Sequence, residues 1–389
     1  MHTFWTALLG AVAFLWIAAS IDLLRGVPSM PSLADANPLP DAQCPPVSIL
    51  FAARNEAEKL AGALETFLAL DYPRYEVIAV DDRSEDGTGA ILEAAAQREA
   101  RLKPVRIDSL PSGWLGKPHA LRQAYERSTG EWLVFTDADV YFAPDLLRRS
   151  IALAERQGWE HLTLIGRVEM FSVGEKIAMT FFAMAFAIGT RPWAASNPKS
   201  RAYNGVGAFQ LIRRDTYEAI GTHRRLAMEV VDDMKLGKLV KDGGFRSGAA
   251  RAGDAVSVHW HAGVGNMIRG TTKNLFAVSG FNLWVACVQI FGVLLTCAFP
   301  VAAFVFTHGW GRLFDTIAVV LPLNIAGGAA LQFEEPVLYA VTYPIGALIF
   351  AWMMARSAIV TLWQGGIVWR GTFYPLEELK REWSSCGEN

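Results

Sequence analysis

The chain has 389 residues, enough for one large domain or two ordinary ones with a sizeable core. Only 19% of residues are charged and the mean hydropathy is +0.23. Soluble proteins carry about a quarter charged residues, so the composition argues against a wholly soluble chain. A net charge of −2 with no basic stripe argues against nucleic-acid binding, and the 13 Trp and 22 Phe suit a membrane interface instead.

Residues 4–21 form an uncharged apolar run followed by Asp22 and Arg25, long enough for a hydrocarbon core of about 30 Å. No Lys or Arg precedes it, as the start of a cleaved signal peptide requires, so residues 1–25 are expected to be a retained anchor. Pro28, Pro31, Pro38, Pro40, Pro45 and Pro46 make residues 26–46 an extended linker. From Val47 the pattern changes. Apolar runs at 47–53, 75–81, 132–137 and 161–166 read as strands buried on both faces. Segments 55–70, 86–100, 117–128 and 144–157 read as helices. This alternation predicts an α/β domain over 47–273 with a mostly parallel, doubly wound sheet and a ligand beyond the strands' carboxyl ends.

No charged residue occurs between Lys273 and Arg312, and uncharged runs follow at 316–333 and 336–355, so 274–368 are expected to hold two or three membrane helices. The tail, 369–389, carries Arg370, Lys380 and Arg381, which the positive-inside rule assigns to the cytoplasm. An even number of C-terminal crossings satisfies that, with one run re-entrant or interfacial if there are three. Cys44, Cys287, Cys297 and Cys386 lie far apart with no metal-ligand spacing and are read as reduced thiols.

Four polar groups fall at predicted strand ends. Ala53-Arg54-Asn55-Glu56 closes the first strand, and the helix start that follows attracts anions; Asn55 as a plain N-cap is the competing reading. Asp81-Asp82 begin the loop Asp81-Asp82-Arg83-Ser84-Glu85-Asp86-Gly87-Thr88. Adjacent carboxylates there repel unless a donor-rich ligand or cation compensates, although a loop capping the next helix through Asp86 is also consistent. Gly116-Lys117 opens a helix and is suited to meeting phosphate, or Lys117 is simply solvated. Asp137 and Asp139 flank Ala138 after the apolar strand. Two carboxylates projecting to one side of an extended chain suit Mg²⁺ or Mn²⁺, which would bridge a diphosphate. A fifth group, Glu229-Val230-Val231-Asp232-Asp233-Met234-Lys235-Leu236-Gly237, offers a general base at a helix start, or merely a negative helix N-terminus.

In this order and spacing the five motifs resemble glycosyltransferase family 2, whose fold is GT-A, over residues 46–273. The resemblance implies an inverting, metal-dependent transfer of a sugar from a UDP-sugar. It assigns Ala53, Arg54 and Glu56 to the uridine side of the donor. It puts Asp81 and Asp82 in the uracil loop, with Asp82 the direct contact, and Lys117 near uracil or phosphate. Asp137 would meet ribose or metal, Asp139 would ligate the metal, and Asp233 would be the base, with Asp232 standing where the family has glutamate. Membrane-bound relatives carry Gln-x-x-Arg-Trp after the base. This chain has Met267-Ile268-Arg269-Gly270-Thr271-Thr272-Lys273 instead, so Arg269 is assigned the charge that steadies the diphosphate.

The missing motif counts against a polysaccharide or glycan-extending synthase, and one anchor plus a few C-terminal helices resembles the enzymes that glycosylate ceramide, carotenoid acids and hopanoids. The expected acceptor is therefore a hydroxyl or carboxyl of a membrane lipid, reached from the cytoplasmic side of the inner membrane. A non-catalytic scaffold would not need Asp137, Asp139 and Asp233, and a nucleotidyltransferase would need a Gly-rich phosphate loop. The apolar stretch 177–189 is too short to span and is read as an interfacial segment leading a lipid to the site or as a buried core helix. His259-Trp260-His261 is read as part of a packed strand, not a metal site.

Overall fold

The computed structural model describes residues 2–385, so Cys386 lies outside the described residues. The chain divides into two compact units interleaved in sequence. One comprises Met30–Val168, Pro192–His259 and Arg370–Asn389; the other comprises Met1–Ser29, Glu169–Arg191 and Trp260–Trp369.

The first unit is built on an eight-stranded sheet of β1 (Val47–Ala53), β2 (Tyr75–Asp82), β3 (Leu102–Ile107), β4 (Trp132–Asp137), β5 (Val140–Phe142), β6 (His161–Val168), β7 (Gln210–Arg213) and β8 (Ser247–Val258). Their order across the sheet is β3-β2-β1-β4-β7-β6-β8-β5. Side chains alternate between two cores. Ile49, Phe51, Val77 and Val134 pack with Leu60, Phe67, Leu92 and Ile151, whereas Leu50, Ile78, Leu133 and Phe135 pack with Leu121, Leu236 and Val240. Helices Ala57–Leu68, Thr88–Ala96 and Leu146–Gln157 therefore cover one face, and Gly116–Glu126 and Asp232–Asp242 cover the other. Burial on both faces is why these strands read as continuous apolar runs.

β1, β2, β3 and β4 run parallel, as expected. β7 is antiparallel to both β4 and β6, and β5 is antiparallel to β8, so the sheet is mixed beyond β4. The register aligns Ala53 with Asp81 and Ala52 with Asp137, so the first two acidic motifs and the first strand end on one edge. β8 stops at Val258, so His259 and His261 do not alternate along a strand.

The second unit is helical. Among the described residues five helices are long and apolar enough to cross a bilayer: Thr3–Ser29, Val173–Ala194, Leu283–Ala303, Gly309–Gln332 and Val337–Gln364. Small residues at their contacts, Ala318, Ala326 and Ala347 against Trp16 and Phe181, let helices approach closely. The apolar stretch 177–189 becomes the longer helix Val173–Thr190 because polar groups at its start are satisfied. Ser172 Oγ accepts from Glu175 N–H, and the buried Glu175 carboxylate accepts from Phe171 N–H at 2.9 Å and Gly263 N–H at 2.6 Å. β9 (Gly366–Trp369) ends this unit, and the chain re-enters the first through a turn at Arg370-Gly371 to β10 (Thr372–Pro375) and a helix, Leu376–Ser385.

Candidate active site

Two clusters of charged groups sit at the carboxyl ends of β1, β2 and β4, and Gly116-Lys117 belongs to both. In the first, every residue of β2 is buried, including Asp81 and Asp82, each 3% exposed. Buried carboxylates demand donors. Asp81 accepts from Ser84 N–H at 3.0 Å and from Arg106 Nη1 at 3.0 Å. Asp82 is gripped by Arg83 through Nε at 2.7 Å and Nη2 at 3.0 Å, with Arg83 held at a positive φ of 57°. Gly116 abuts this pair so closely that a Cβ would lie 2.4 Å from Asp82 Oδ2.

The loop after β1 is stitched to the loop after β2. Asn55 N–H donates to Ser84 Oγ at 3.1 Å, Glu56 N–H to Thr88 Oγ1 at 2.9 Å, and Ala57 N–H to Asp86 Oδ2 at 3.1 Å. Asn55 is thus not the N-cap of the following helix. It has φ of 54°, and its Oδ1 accepts from Glu85 N–H at 2.9 Å. Asp86 does satisfy helix-start donors, one on each of two helices.

In the second cluster the side chain of Lys117, about a fifth exposed, reaches Asp137 Oδ1 at 2.7 Å and Asp232 Oδ2 at 3.9 Å. Burial by itself would lower the Lys117 pKa; the charges of Asp137, Asp232 and Asp233 outweigh it and raise the pKa. Asp232 and Asp233 form the first turn of the Asp232–Asp242 helix, where the helix dipole favours negative charge. Asp233 is fixed by two backbone donors, Gly207 N–H to Oδ2 at 2.9 Å and Met234 N–H to Oδ1 at 2.8 Å. Gly207 lies between two carboxylates: a Cβ there would fall 2.6 Å from Asp137 Oδ2 and 3.4 Å from Asp233 Oδ2. Lys117, Gly207, Gln210, His223, Asp232 and Asp233 line a small cavity behind these groups.

Asp137 ends β4, but Asp139 lies in the turn before β5, so the strand alternation expected to align them does not apply. Asp139 Oδ2 instead accepts from Lys59 Nζ at 2.9 Å. Among the described residues no three His, Cys, Asp or Glu side chains converge as a metal cage. The donor set still fits a hard cation: Mg²⁺ is ordinarily held by one or two carboxylates, with substrate phosphates and water completing its shell. Arg269 belongs to the helical unit, where its Nη2 donates to Asn266 Oδ1 at 2.6 Å.

Three contacts escaped the sequence reading. Lys59 pairs with Asp139, Gly207 supports Asp233, and Arg370, expected in a free tail, pairs with Glu56. Burial raises the Glu56 pKa, opposed by the charge of Arg370.

Residues 48–220 match the family model Glycosyl transferase family 2. That stretch, less than half of the chain, is similar to the family 2 glycosyltransferases. Its fold is GT-A. Over 92% of this chain and 99% of the other, it superposes on a mannosyltransferase from Pyrobaculum calidifontis, solved with GDP-Man and Mn²⁺, with a TM-score of 0.53 and 21% identity. Beta-monoglucosyldiacylglycerol synthase from Synechocystis sp. is 36% identical over 34% of this chain and 29% of its own length. 4,4'-Diaponeurosporenoate glycosyltransferase from Staphylococcus haemolyticus is 25% identical over 59% of this chain and 60% of its own. The chain thus aligns with less than two thirds of either relative.

Proposed function

We propose that this protein is a membrane-anchored, inverting glycosyltransferase that moves a sugar from a UDP-sugar to a membrane lipid. The observation that carries the reading is the gathering of Asp137, Asp232 and Asp233 around Lys117 at the carboxyl edge of the sheet. The names of the two curated relatives, one a glycosyldiacylglycerol synthase and one acting on a carotenoid acid, support a lipid acceptor.

In this account the donor lies along the sheet edge, its base toward Ala53, Arg54, Glu56, Asp81 and Asp82 and its diphosphate toward Lys117 and Asp137, with Arg269 assigned to the diphosphate by the family resemblance. A Mg²⁺ or Mn²⁺ ion held by Asp139 and Asp137 would supply charge neutralisation for the departing diphosphate. Asp233 takes the proton from the acceptor hydroxyl. The acceptor oxygen bonds the anomeric carbon as the bond to the diphosphate breaks, and nucleoside diphosphate leaves from the opposite face. Asp233, oriented by Gly207 and Met234 amides, has no rotamer to search before it takes the proton.

Chain connectivity supports a specific membrane arrangement. β6 and β7 pair in one sheet although the Val173–Thr190 helix lies between them, so that helix enters and leaves on one side of the bilayer. It is long enough to cross, but it serves as an interfacial or re-entrant element, suited to delivering a lipid headgroup. β10 likewise contacts residues of the sheet unit, so an even number of Leu283–Ala303, Gly309–Gln332 and Val337–Gln364 cross. Arg25, Arg370, Lys380 and Arg381 then face the cytoplasm with the sheet unit, in the inner membrane.

The reading is tested by incubating detergent-purified protein with UDP-sugars and GDP-Man, with and without membrane lipid extract and Mn²⁺. Glycolipid formed from one UDP-sugar supports it. Activity only without lipid, or only with GDP-Man, contradicts the acceptor or the donor assignment respectively.

A further inference from the structure

The turn after β9 and the strand β10 that follows it touch the loop after β1 and the start of the Gly116–Glu126 helix in the candidate nucleotide site. Arg370 pairs with Glu56 of the loop after β1, and the neighbouring Arg54 Nη1 donates to Thr372 Oγ1 at 3.1 Å. Tyr374 is buried, 5% exposed, and its hydroxyl accepts from Gly116 N–H at 3.2 Å. Gly116 in turn abuts the Asp82–Arg83 pair, in which the Arg83 guanidinium holds both oxygens of Asp82. A stretch of five residues thus ties together the loop after β1, the loop after β2 and the start of the Gly116–Glu126 helix. Those three segments are far apart in sequence, and the sheet alone fixes only their strand ends.

We propose that residues 370–374 are a positioning segment for the donor: by cross-linking the three nucleotide loops, Arg370, Thr372 and Tyr374 hold Glu56, Arg54 and Gly116, beside Asp82, ready for the base. The physical argument is preorganisation. Loops left free must be ordered when the ligand arrives, and that ordering is subtracted from affinity. The segment acts through its partners, and neither Arg370 nor Tyr374 is assigned a part in the chemistry. Arg370 contributes through an ion pair whose guanidinium is about half exposed, so its effect is modest. Tyr374 contributes through a buried hydroxyl that satisfies the Gly116 amide, so its loss weighs more. This inference rests on the donor reading above.

The test uses the full chain in detergent, with UDP binding measured by calorimetry and steady-state kinetics measured over donor concentration. Tyr374→Phe is expected to raise the UDP Kd and the donor KM about tenfold, and Arg370→Ala about threefold, with kcat within about twofold of the parent. Arg370→Lys, which keeps the charge, should restore most of the affinity, a rescue that loss of packing alone would not give. Matching thermal melts for Arg370→Ala and the parent guard against a folding defect, and Arg370→Ala stands as the test if Tyr374→Phe fails to fold. Unchanged Kd in folded variants would overturn the proposal, and tighter binding would overturn it in favour of a segment that competes with the donor. If the parent and all variants bind no nucleoside diphosphate, the donor reading itself fails and takes this proposal with it.

Discussion

Lys117 is the residue on which the charge balance of the site depends, and Lys117→Met removes its charge while keeping most of its length. At 2.7 Å from Asp137 and 3.9 Å from Asp232, the ammonium gains roughly 6 and 4 kcal/mol of gross Coulomb attraction at an effective dielectric constant of about 20. Much of that is offset by desolvation. Breaking a fully buried pair from one side costs about 3–5 kcal/mol, and because a fifth of this side chain is exposed the cost falls to the bottom of that range or just below, about 2–3 kcal/mol. The direction of the pKa shift sets the pH window. The folded-state pKa of Lys117 is raised, so its contribution is fully present below the ordinary lysine pKa of about 10.4 and declines as pH rises beyond it. The melting temperature of Lys117→Met should therefore sit several degrees below the parent's, by the same margin from pH 6 to pH 9, with the gap closing only in stronger alkali. UDP affinity should fall as well. A variant that melts with the parent at pH 7 and binds UDP equally would refute the view that Lys117 neutralises this cluster.

Gly207→Ala should cost activity without unfolding the protein, because its methyl would press on the Asp137 carboxylate beside the amide that orients Asp233; a kcat within twofold of the parent's would count against that geometry. His161, wholly buried between Ser247 and Gln210, has its pKa pushed down by burial to about 4. It is neutral in the fold, so its contribution is present above the ordinary histidine pKa of about 6.5 and is lost as pH falls toward 4; thermal melts over that range should be flatter for His161→Gln than for the parent. Chelation with EDTA should abolish transfer, and added Mn²⁺ should restore it in the parent but poorly in Asp139→Asn. Mn²⁺ binding followed by electron paramagnetic resonance should be weakened by the same substitution.

The parts of the fold legible in the sequence are those buried on both faces. β1, β2 and β4 appear as apolar runs because two cores clamp them, whereas β6 sends Leu162 and Leu164 into one core only. β3 escaped notice because four of its six residues, including Lys103 and Arg106, are not buried. β8 escaped because Ser247-Gly248-Ala249-Ala250 has weak strand propensity and is extended only by pairing with β6. The site follows the same logic. Carboxylates after predicted strands marked Glu56 and Asp139, and one at a helix start marked Asp233, but their respective partners Arg370, Lys59 and Gly207 arrive from other elements. Arg370-Gly371 alone leaves a trace, a turn dipeptide between two short stretches of strand-forming residues.

The central claim is that Asp233 is the base of a sugar transfer to lipid, and Asp233→Asn tests it most directly. Asparagine keeps an acceptor oxygen for the Gly207 amide but cannot take a proton at the working pH. The account predicts that transfer from UDP-sugar to lipid falls about 10²- to 10⁴-fold while UDP binds within about twofold of the parent. Transfer that persists near the parent's rate would contradict the assignment and hand the role to another carboxylate of the cluster.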